Sequence, residues 1–131
     1  MDNKTKSAVS LYAMIVLYVG SGANHFVHPD FYLSILPHPY PCPDFLNASG
    51  GVAEIILGFL LLPENTRKIS AGAILAMLTV FLVVIHIPMC FIFYGKNDFM
   101  FWVSVIRIPL QFVLIAWAFG FVKEKTGTVK V

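Results

Sequence analysis

Four long apolar stretches, separated by short polar or proline-rich segments, dominate the chain. They cover about Ser7–Phe26, Phe45–Leu62, Ile69–Phe93 and Phe99–Val122. Each stretch approaches or exceeds the ~20 residues that an α-helix needs to cross the hydrocarbon layer of a membrane. The pattern therefore predicts an all-α polytopic membrane protein, with residues 1–131 forming a single four-transmembrane-helix bundle.

The segment between the first two stretches has a different pattern. Residues Asp30–Leu36 place apolar side chains at helical spacing, and Pro29 before them suits the first turn of a helix. Prolines then alternate with other residues, which prevents helix and sheet hydrogen bonding and favours an extended, polyproline-like backbone; these prolines are Pro37, Pro39, Pro41 and Pro43. We predict a short interfacial helix followed by a stiff proline-rich strap over the outer mouth of the bundle. The segment is then either a simple interfacial anchor or a functional lid.

Composition agrees with the membrane interpretation. Hydrophobic residues make up 58% of the chain and charged residues 12%, with a mean hydropathy of +0.79. Soluble domains average about 25% charged residues. The net charge of +2 is small and the cationic residues are scattered, so we expect no nucleic-acid partner.

The cationic residues also predict an orientation. They flank the first stretch, the junction of the second and third, and the end of the fourth: Lys4, Lys6, Arg67, Lys68, Lys123, Lys125 and Lys130. The other two connections contain only Lys96. The positive-inside rule then places both termini in the cytoplasm. The first stretch resembles a signal peptide, but we expect it to be retained because its loss would reverse this charge pattern.

Polar side chains interrupt all four apolar stretches at similar depths. The candidate site residues are Asn24, His25, Glu54, His86, Arg107 and Gln111. A charge at the bilayer centre costs about 2.5–3.5 kcal/mol, so such residues usually serve a site or a specific pairing. Glu54 and Arg107 both fall about 12–14 Å below the predicted outer boundary, at 1.5 Å of rise per residue. We predict that these two side chains form an ion pair.

The second stretch also carries small residues around its acid. Gly50, Glu54 and Gly58 lie at i, i+4 and i+8, with Gly51 beside them. Small residues in this arrangement allow a neighbouring transmembrane helix to approach closely. We therefore expect the face that carries Glu54 to let a neighbouring helix approach closely.

Several alternatives remain open at this point. The ion pair could serve only to fix the register of the helices. A metal site of His25, His28, His86 and Glu54 is an alternative, but the spacing fixes only the His25/His28 pair, and we predict no metal. Cys42 and Cys90 could form a disulfide or stay unpaired, and unpaired thiols are favoured.

Taken in order, the motifs resemble those of the DoxX-like family of small four-helix bacterial membrane proteins. The matching pieces run from Leu17 to Trp117: Asn24-His25-Phe26-x-x-Pro29-x-Phe31-Tyr32, Ser49-Gly50-x-x-x-Glu54-Ile55-x-x-Gly58, Leu61-Leu62-Pro63-x-x-Thr66-Arg67 and Arg107-x-Pro109-Leu110-Gln111. One departure is that His86 stands near the place where relatives often have an asparagine in a Pro-Ala-Asn stretch. The resemblance implies a bacterial inner-membrane location and a redox association.

Two functional hypotheses follow from the residues and the resemblance. In the first, the chain is an integral membrane subunit of a redox-associated system, with a site for a quinone or lipid headgroup in the outer half of the bundle. It would have no intrinsic cofactor, and a redox partner subunit, a second copy and membrane lipid are the expected partners. The alternative is a non-catalytic assembly factor or chaperone for another membrane protein. A small-solute transporter is less favoured because the inner half lacks a polar path and the chain lacks an inverted repeat.

Overall fold

The computed structural model describes residues 3–36 and 40–123, and this part of the chain is helical without strands. The helices are α1 (Asn3–Val27), α2 (Pro29–Ile35), α3 (Pro43–Leu60), α4 (Glu64–Phe81), α5 (Ile87–Phe93) and α6 (Asp98–Lys123). A π-helical segment, Leu82–His86, joins α4 to α5. The all-α class and the short helix after Pro29 are confirmed. The polyproline prediction at Pro37 and Pro39 falls outside the described residues. It is wrong at the end of the segment, because Cys42 has a left-handed φ of 54° and Pro43 begins α3.

Pro88 explains the irregular backbone between α4 and α5. Proline has no backbone N–H, and its ring clashes with the carbonyl four residues earlier, which here belongs to Val84. The helix widens into the π-helical segment just before Pro88, and the Tyr40 hydroxyl donates a 2.7 Å hydrogen bond to the Val84 carbonyl oxygen. The strap is thereby attached to the third long helix at the carbonyl that Pro88 releases.

Three helical segments are long and apolar enough to cross a membrane: Thr5–Val27, Glu64–Phe93 and Asp98–Lys123. The second of these comprises α4, the π-helical segment and α5. Helix α3 has 18 residues and carries Asp44, Asn47 and Glu54, which lower its mean hydropathy. A membrane protein is therefore indicated, and the count of four spans stays a prediction.

Side chains of α4 stabilise the tight connection between α3 and α4. The buried Arg67 donates from Nε to the Leu61 carbonyl at 2.9 Å and from Nη2 to the Leu62 carbonyl at 2.8 Å. Thr66 Oγ1 donates to the Leu60 carbonyl at 2.7 Å. The last carbonyls of a helix have no partners within it, so these bonds terminate α3 and fix its angle to α4.

The helices pack mainly as two antiparallel pairs, α1 with α3, and α4–α5 with α6. A hydrophobic core joins the pairs at the end of the bundle away from α2; its members are Leu11, Met14, Ile15, Tyr18, Leu61, Ala71, Ile74, Leu78, Ala118 and Phe121. Trp117 Nε1 donates to Ser10 Oγ at 2.8 Å and links α6 to α1. The opposite end, where α1 meets α2, carries most of the candidate site residues.

Helices α1 and α3 approach each other through three glycines, which we call the glycine seam: Gly22, Gly51 and Gly58. A Cβ atom on Gly22 would lie 2.6 Å from the Gly51 carbonyl oxygen, and one on Gly58 would lie 2.8 Å from Val19 Cγ2. A Cβ on Gly50 would have 3.8 Å of clearance. The close approach predicted for the face of Glu54 is present. Gly51 and Gly58 make it, whereas Gly50 lies at the margin of the contact.

The seam predicts that Gly22→Ala destabilises the protein. Its methyl group would meet the α3 backbone, and overpacking of this kind typically costs about 1–3 kcal/mol. Gly20→Ala, two residues earlier on the same helix, is the matched control because a Cβ there meets nothing within 4 Å. Thermal unfolding in mild detergent should show a lowered Tm for Gly22→Ala and an unchanged or raised Tm for Gly20→Ala. Equal effects would contradict the seam.

Candidate functional site

His25 is oriented by two hydrogen bonds to a single side chain of α3. Asn47 Nδ2 donates to the His25 backbone carbonyl at 3.0 Å, so its Oδ1 accepts from His25 Nδ1 at 2.7 Å. Because an amide oxygen only accepts, this network assigns a proton to Nδ1. The other ring nitrogen, Nε2, then faces a further partner.

That partner is Glu54, whose Oε1 lies 3.7 Å from His25 Nε2. The two residues are only 8% and 7% exposed. A carboxyl group in such an apolar place is costly without a polar neighbour. The His25 imidazole is that neighbour, at a separation longer than a hydrogen bond.

The predicted ion pair between Glu54 and Arg107 is therefore wrong. The two residues belong to α3 and α6, and these helices pack chiefly against α1 and against α4–α5, respectively. Equal depth along the helix axes does not determine which side of the bundle a residue faces. Glu54 faces α1, where His25 meets it.

Arg107 forms a second group with other candidate residues. Its guanidinium carbon lies 5.4 Å from the centre of the Phe31 ring of α2, and its charge acts on the half-buried His86. Gln111 lies beside His86 and donates from Nε2 to the Leu78 carbonyl at 2.7 Å. Among the described residues, the Arg107 guanidinium has this aromatic contact but no hydrogen bond or salt bridge.

Helix α2 contacts both groups through adjacent aromatic residues. Tyr32 stacks on the His25 ring at 3.6 Å between centroids and an angle of 23°, and its hydroxyl accepts from Asn24 Nδ2 at 3.1 Å. Phe31 packs edge-on to Tyr32 and carries Arg107 on its face. The six predicted site residues thus divide into Asn24, His25 and Glu54 on one side and His86, Arg107 and Gln111 on the other, with α2 between.

An open cavity of about 390 Å³ lies at this end of the bundle. It is lined by Asn24, Val27, His28, Pro29, Asp30 and Phe31. Of the six candidate site residues, only Asn24 lines this cavity. Its lining residue Phe31 also contacts the Arg107 guanidinium, but His86, Arg107 and Gln111 do not line the cavity.

The positions of the histidines and cysteines decide two further expectations from the sequence, the metal site and the disulfide. His28 is exposed, and His86 lies with Arg107 instead of with His25 and Glu54, so the four histidine and glutamate ligands of the metal alternative do not converge. Cys42 and Cys90 carry free thiols, as favoured from their spacing. Within residues 3–36 and 40–123, three buried side-chain atoms lack a hydrogen-bond partner: Tyr18 Oη, Glu54 Oε2 and His86 Nδ1.

Sequence reasoning missed Asn47, Tyr32, Phe31 and Tyr18. Asn47 lies seven residues before Glu54 and so on the same face of α3, which was a usable signal. The aromatic residues carried no such signal, because tyrosine and phenylalanine are common at membrane interfaces and in helix packing.

The hydrogen bonds of Asn47 predict that Asn47→Leu destabilises the protein by about 1–3 kcal/mol. The substitution introduces an apolar side chain of similar size and leaves His25 Nδ1 without its acceptor in a buried place. Ser49→Ala is the matched control on the same helix, because the exposed Ser49 hydroxyl bonds only to the Leu46 carbonyl. Denaturant unfolding in detergent measures both variants. If Ser49→Ala lowered the free energy of unfolding as much as Asn47→Leu does, the role assigned to Asn47 would be contradicted.

Comparison with known proteins gives a family without a function. The family model for a domain of unknown function, DUF8561, matches residues 14–122. No curated protein and no solved structure shows significant similarity. The match covers the site and nearly all of the helical bundle, and the chain therefore belongs to the DUF8561 family.

Proposed function

We propose that this protein is an integral membrane protein that binds the headgroup of a membrane amphiphile beside Arg107 and His86. The headgroup presents acceptor oxygens, as a quinone carbonyl or a lipid phosphate does. The observation that carries the proposal is the half-buried Arg107 of the apolar helix α6. Its guanidinium lies against the Phe31 ring, and Glu54 does not pair with it because Glu54 contacts His25.

The chemistry of the second group suits an oxygen acceptor. A guanidinium offers five N–H donors in a planar fork, and in a membrane it is costly without a partner. His86 lies near Arg107, and its buried Nδ1 atom has no hydrogen-bond partner among the described residues. A carbonyl or phosphate oxygen at this place would accept from the guanidinium and give the His86 ring a polar neighbour.

The route to the site is also favourable for an amphiphile. The cavity beside Phe31 is open, and its lining includes polar Asn24, His28 and Asp30 as well as apolar Val27. A headgroup could enter there while its tail remains among the exposed apolar side chains of the helices, which include Phe26, Val27 and Ile106. Membrane lipid is thus both the solvent and a candidate ligand.

The proposed membrane arrangement has four spans with both termini in the cytoplasm. Helix α3 would be the fourth span because the glycine seam holds it along α1, itself long and apolar enough to cross. Burial of Glu54 and Asn47 against α1 removes the polar groups of α3 from lipid. Arg67 and Lys68 after α3 would then lie on the same side as both termini, in agreement with the positive-inside rule.

A redox role rests on the resemblance to the DoxX-like family. In that proposal the protein is a subunit in a bacterial inner membrane, the bound amphiphile is a quinone, and a partner subunit supplies electrons. A role as an assembly factor would use the same helices, with α2 and the strap as the docking surface and no bound quinone. The nature of the bound molecule separates these two functions.

The proposal predicts that Arg107→Gln reduces the amount of co-purified amphiphile while the bundle stays folded. Glutamine keeps a polar side chain but removes the charge and the guanidinium fork, and His86→Phe should have a similar effect. Lys96→Gln is the control, since Lys96 is an exposed cation in the connection between α5 and α6. Solvent extraction and mass spectrometry of the purified proteins give the readout, with circular dichroism as the check on folding.

The arms of this experiment distinguish the sources of the headgroup. If the wild type carries a quinone that Arg107→Gln lacks, the redox subunit is supported. If the molecule that Arg107→Gln lacks is a phospholipid, a lipid site is supported. Equal ligand content in wild type, Arg107→Gln and His86→Phe would overturn the proposed site.

A further inference from the structure

Exposed aromatic side chains gather near both ends of the helical bundle. Near α2 they include Phe31, Phe45, Tyr94 and Trp102, which we call the α2-end belt, and near the other end they include Tyr12 and Phe119. From Trp102 to Phe119, α6 rises about 25 Å at 1.5 Å per residue. The hydrocarbon core of a bilayer is about 30 Å thick, and tryptophan and tyrosine are enriched at its two interfaces. The belt therefore marks the level at which lipid headgroups meet the protein.

Arg107 lies just inside the α2-end belt. Its Cα atom is about 7–8 Å beyond that of Trp102 along α6. Its guanidinium carbon lies 5.4 Å from the centre of the Phe31 ring, and Phe31 is itself a residue of the belt. Long cationic side chains near the ends of membrane helices commonly extend toward the interface in this way. The contact with Phe31 thus places the guanidinium at the level of the belt.

The charge of Arg107 has no counterion in the described part of the chain, residues 3–36 and 40–123. Glu54, which the sequence placed at a similar depth, lies 3.7 Å from His25. Gln111, one turn further along α6, donates to the Leu78 carbonyl. A phosphate accepts two parallel hydrogen bonds from a guanidinium and also carries the opposite charge. A phosphate at this place would supply both the acceptors and the counterion.

An exposed apolar stripe on α6 leads from Arg107 toward the other end of the bundle. The stripe consists of Ile106, Leu110 and Val113, which lie at i, i+4 and i+7 and are all exposed. Leu110 is one turn from Arg107, on the neighbouring side of the helix. A lipid with its phosphate at Arg107 would therefore have an apolar surface for an acyl chain directly beneath its headgroup.

We propose that the amphiphile bound at Arg107 is an anionic phospholipid of the leaflet at the α2 end, with its phosphate on the guanidinium and an acyl chain along the α6 stripe. This inference rests on the proposed amphiphile site and names its ligand class. A quinone carbonyl is neutral, so it would leave the charge of Arg107 uncompensated. The phosphate of phosphatidylcholine is accompanied by an ammonium group in its own headgroup, which weakens its attraction to a cation. Anionic phospholipids lack that ammonium group and attract cationic side chains at the membrane surface.

The experiment is solid-state NMR of the full chain with ¹³C-labelled arginine Cζ, in bilayers of phosphatidylcholine with and without phosphatidylglycerol. The lipid ³¹P nuclei should dephase the Arg107 Cζ signal when phosphatidylglycerol is present, and this dephasing should be lost in pure phosphatidylcholine. The chain has one other arginine, Arg67, whose buried guanidinium bonds to the Leu61 and Leu62 carbonyls, so its signal should be the same in both bilayers.

Two variants check the assignment of the signal. Arg107→Gln should remove the dephased signal and leave that of Arg67. Lys96→Gln, at an exposed cation in the connection between α5 and α6, should keep the dephasing at Arg107. A third wild-type sample, phosphatidylcholine with a short-chain ubiquinone, should leave the chemical shift of Arg107 Cζ unchanged.

The outcomes separate the ligand class from the amphiphile site itself. Equal dephasing of Arg107 in the two phospholipid bilayers would overturn the anionic ligand and leave a phospholipid site standing. An Arg107 signal that responds to the ubiquinone and not to phosphatidylglycerol would overturn the phospholipid and leave the amphiphile site standing. An Arg107 signal that responds to no lipid and no quinone would overturn both. All three results come from the wild type and need no variant to fold.

Discussion

The close approach of α1 and α3 is the constraint on which the candidate site depends. Apolar side chains give little net attraction between helices in lipid, so packing through small residues and interhelical hydrogen bonds has to bring them together. The glycine seam supplies that packing, with backbone groups where side chains would otherwise separate the helices. At this distance His25 reaches both Asn47 and Glu54.

Pairing Glu54 with His25 has a consequence for every other polar group at the α2 end of the bundle. Glu54 faces α1 and His25, and Arg107 is left on the far side of α2 against Phe31. Adjacent residues of α2 contact the two groups, Tyr32 at His25 and Phe31 at Arg107. The short helix therefore lies between the buried His25–Glu54 contact on one side and Arg107 on the other.

The sequence predicted the helices within about five residues at each end, because apolar runs and proline positions are read along one dimension. It also predicted the helix after Pro29 and the presence of polar groups at a common depth. It did not predict that Glu54 meets His25, because depth leaves the direction around each helix undetermined. For the same reason it did not predict that Gly51, beside Gly50, makes the closer contact with α1. The hydrogen bond from Tyr40 to the Val84 carbonyl, within the π-helical segment before Pro88, was not predicted either, because no local pattern connects these two residues.

A pair of double-mutant cycles tests the central claim, that Glu54 is coupled to His25 across the seam and not to Arg107. The free energy of unfolding is measured in mild detergent for Glu54→Leu, His25→Leu, Arg107→Leu and the two double variants that contain Glu54→Leu. Residues in direct contact usually show interaction energies of about 0.5–3 kcal/mol, and independent sites add to within about 0.3–0.5 kcal/mol. The account predicts a coupled His25–Glu54 cycle and an additive Glu54–Arg107 cycle. The reverse result, with coupling to Arg107 and additivity with His25, would contradict it.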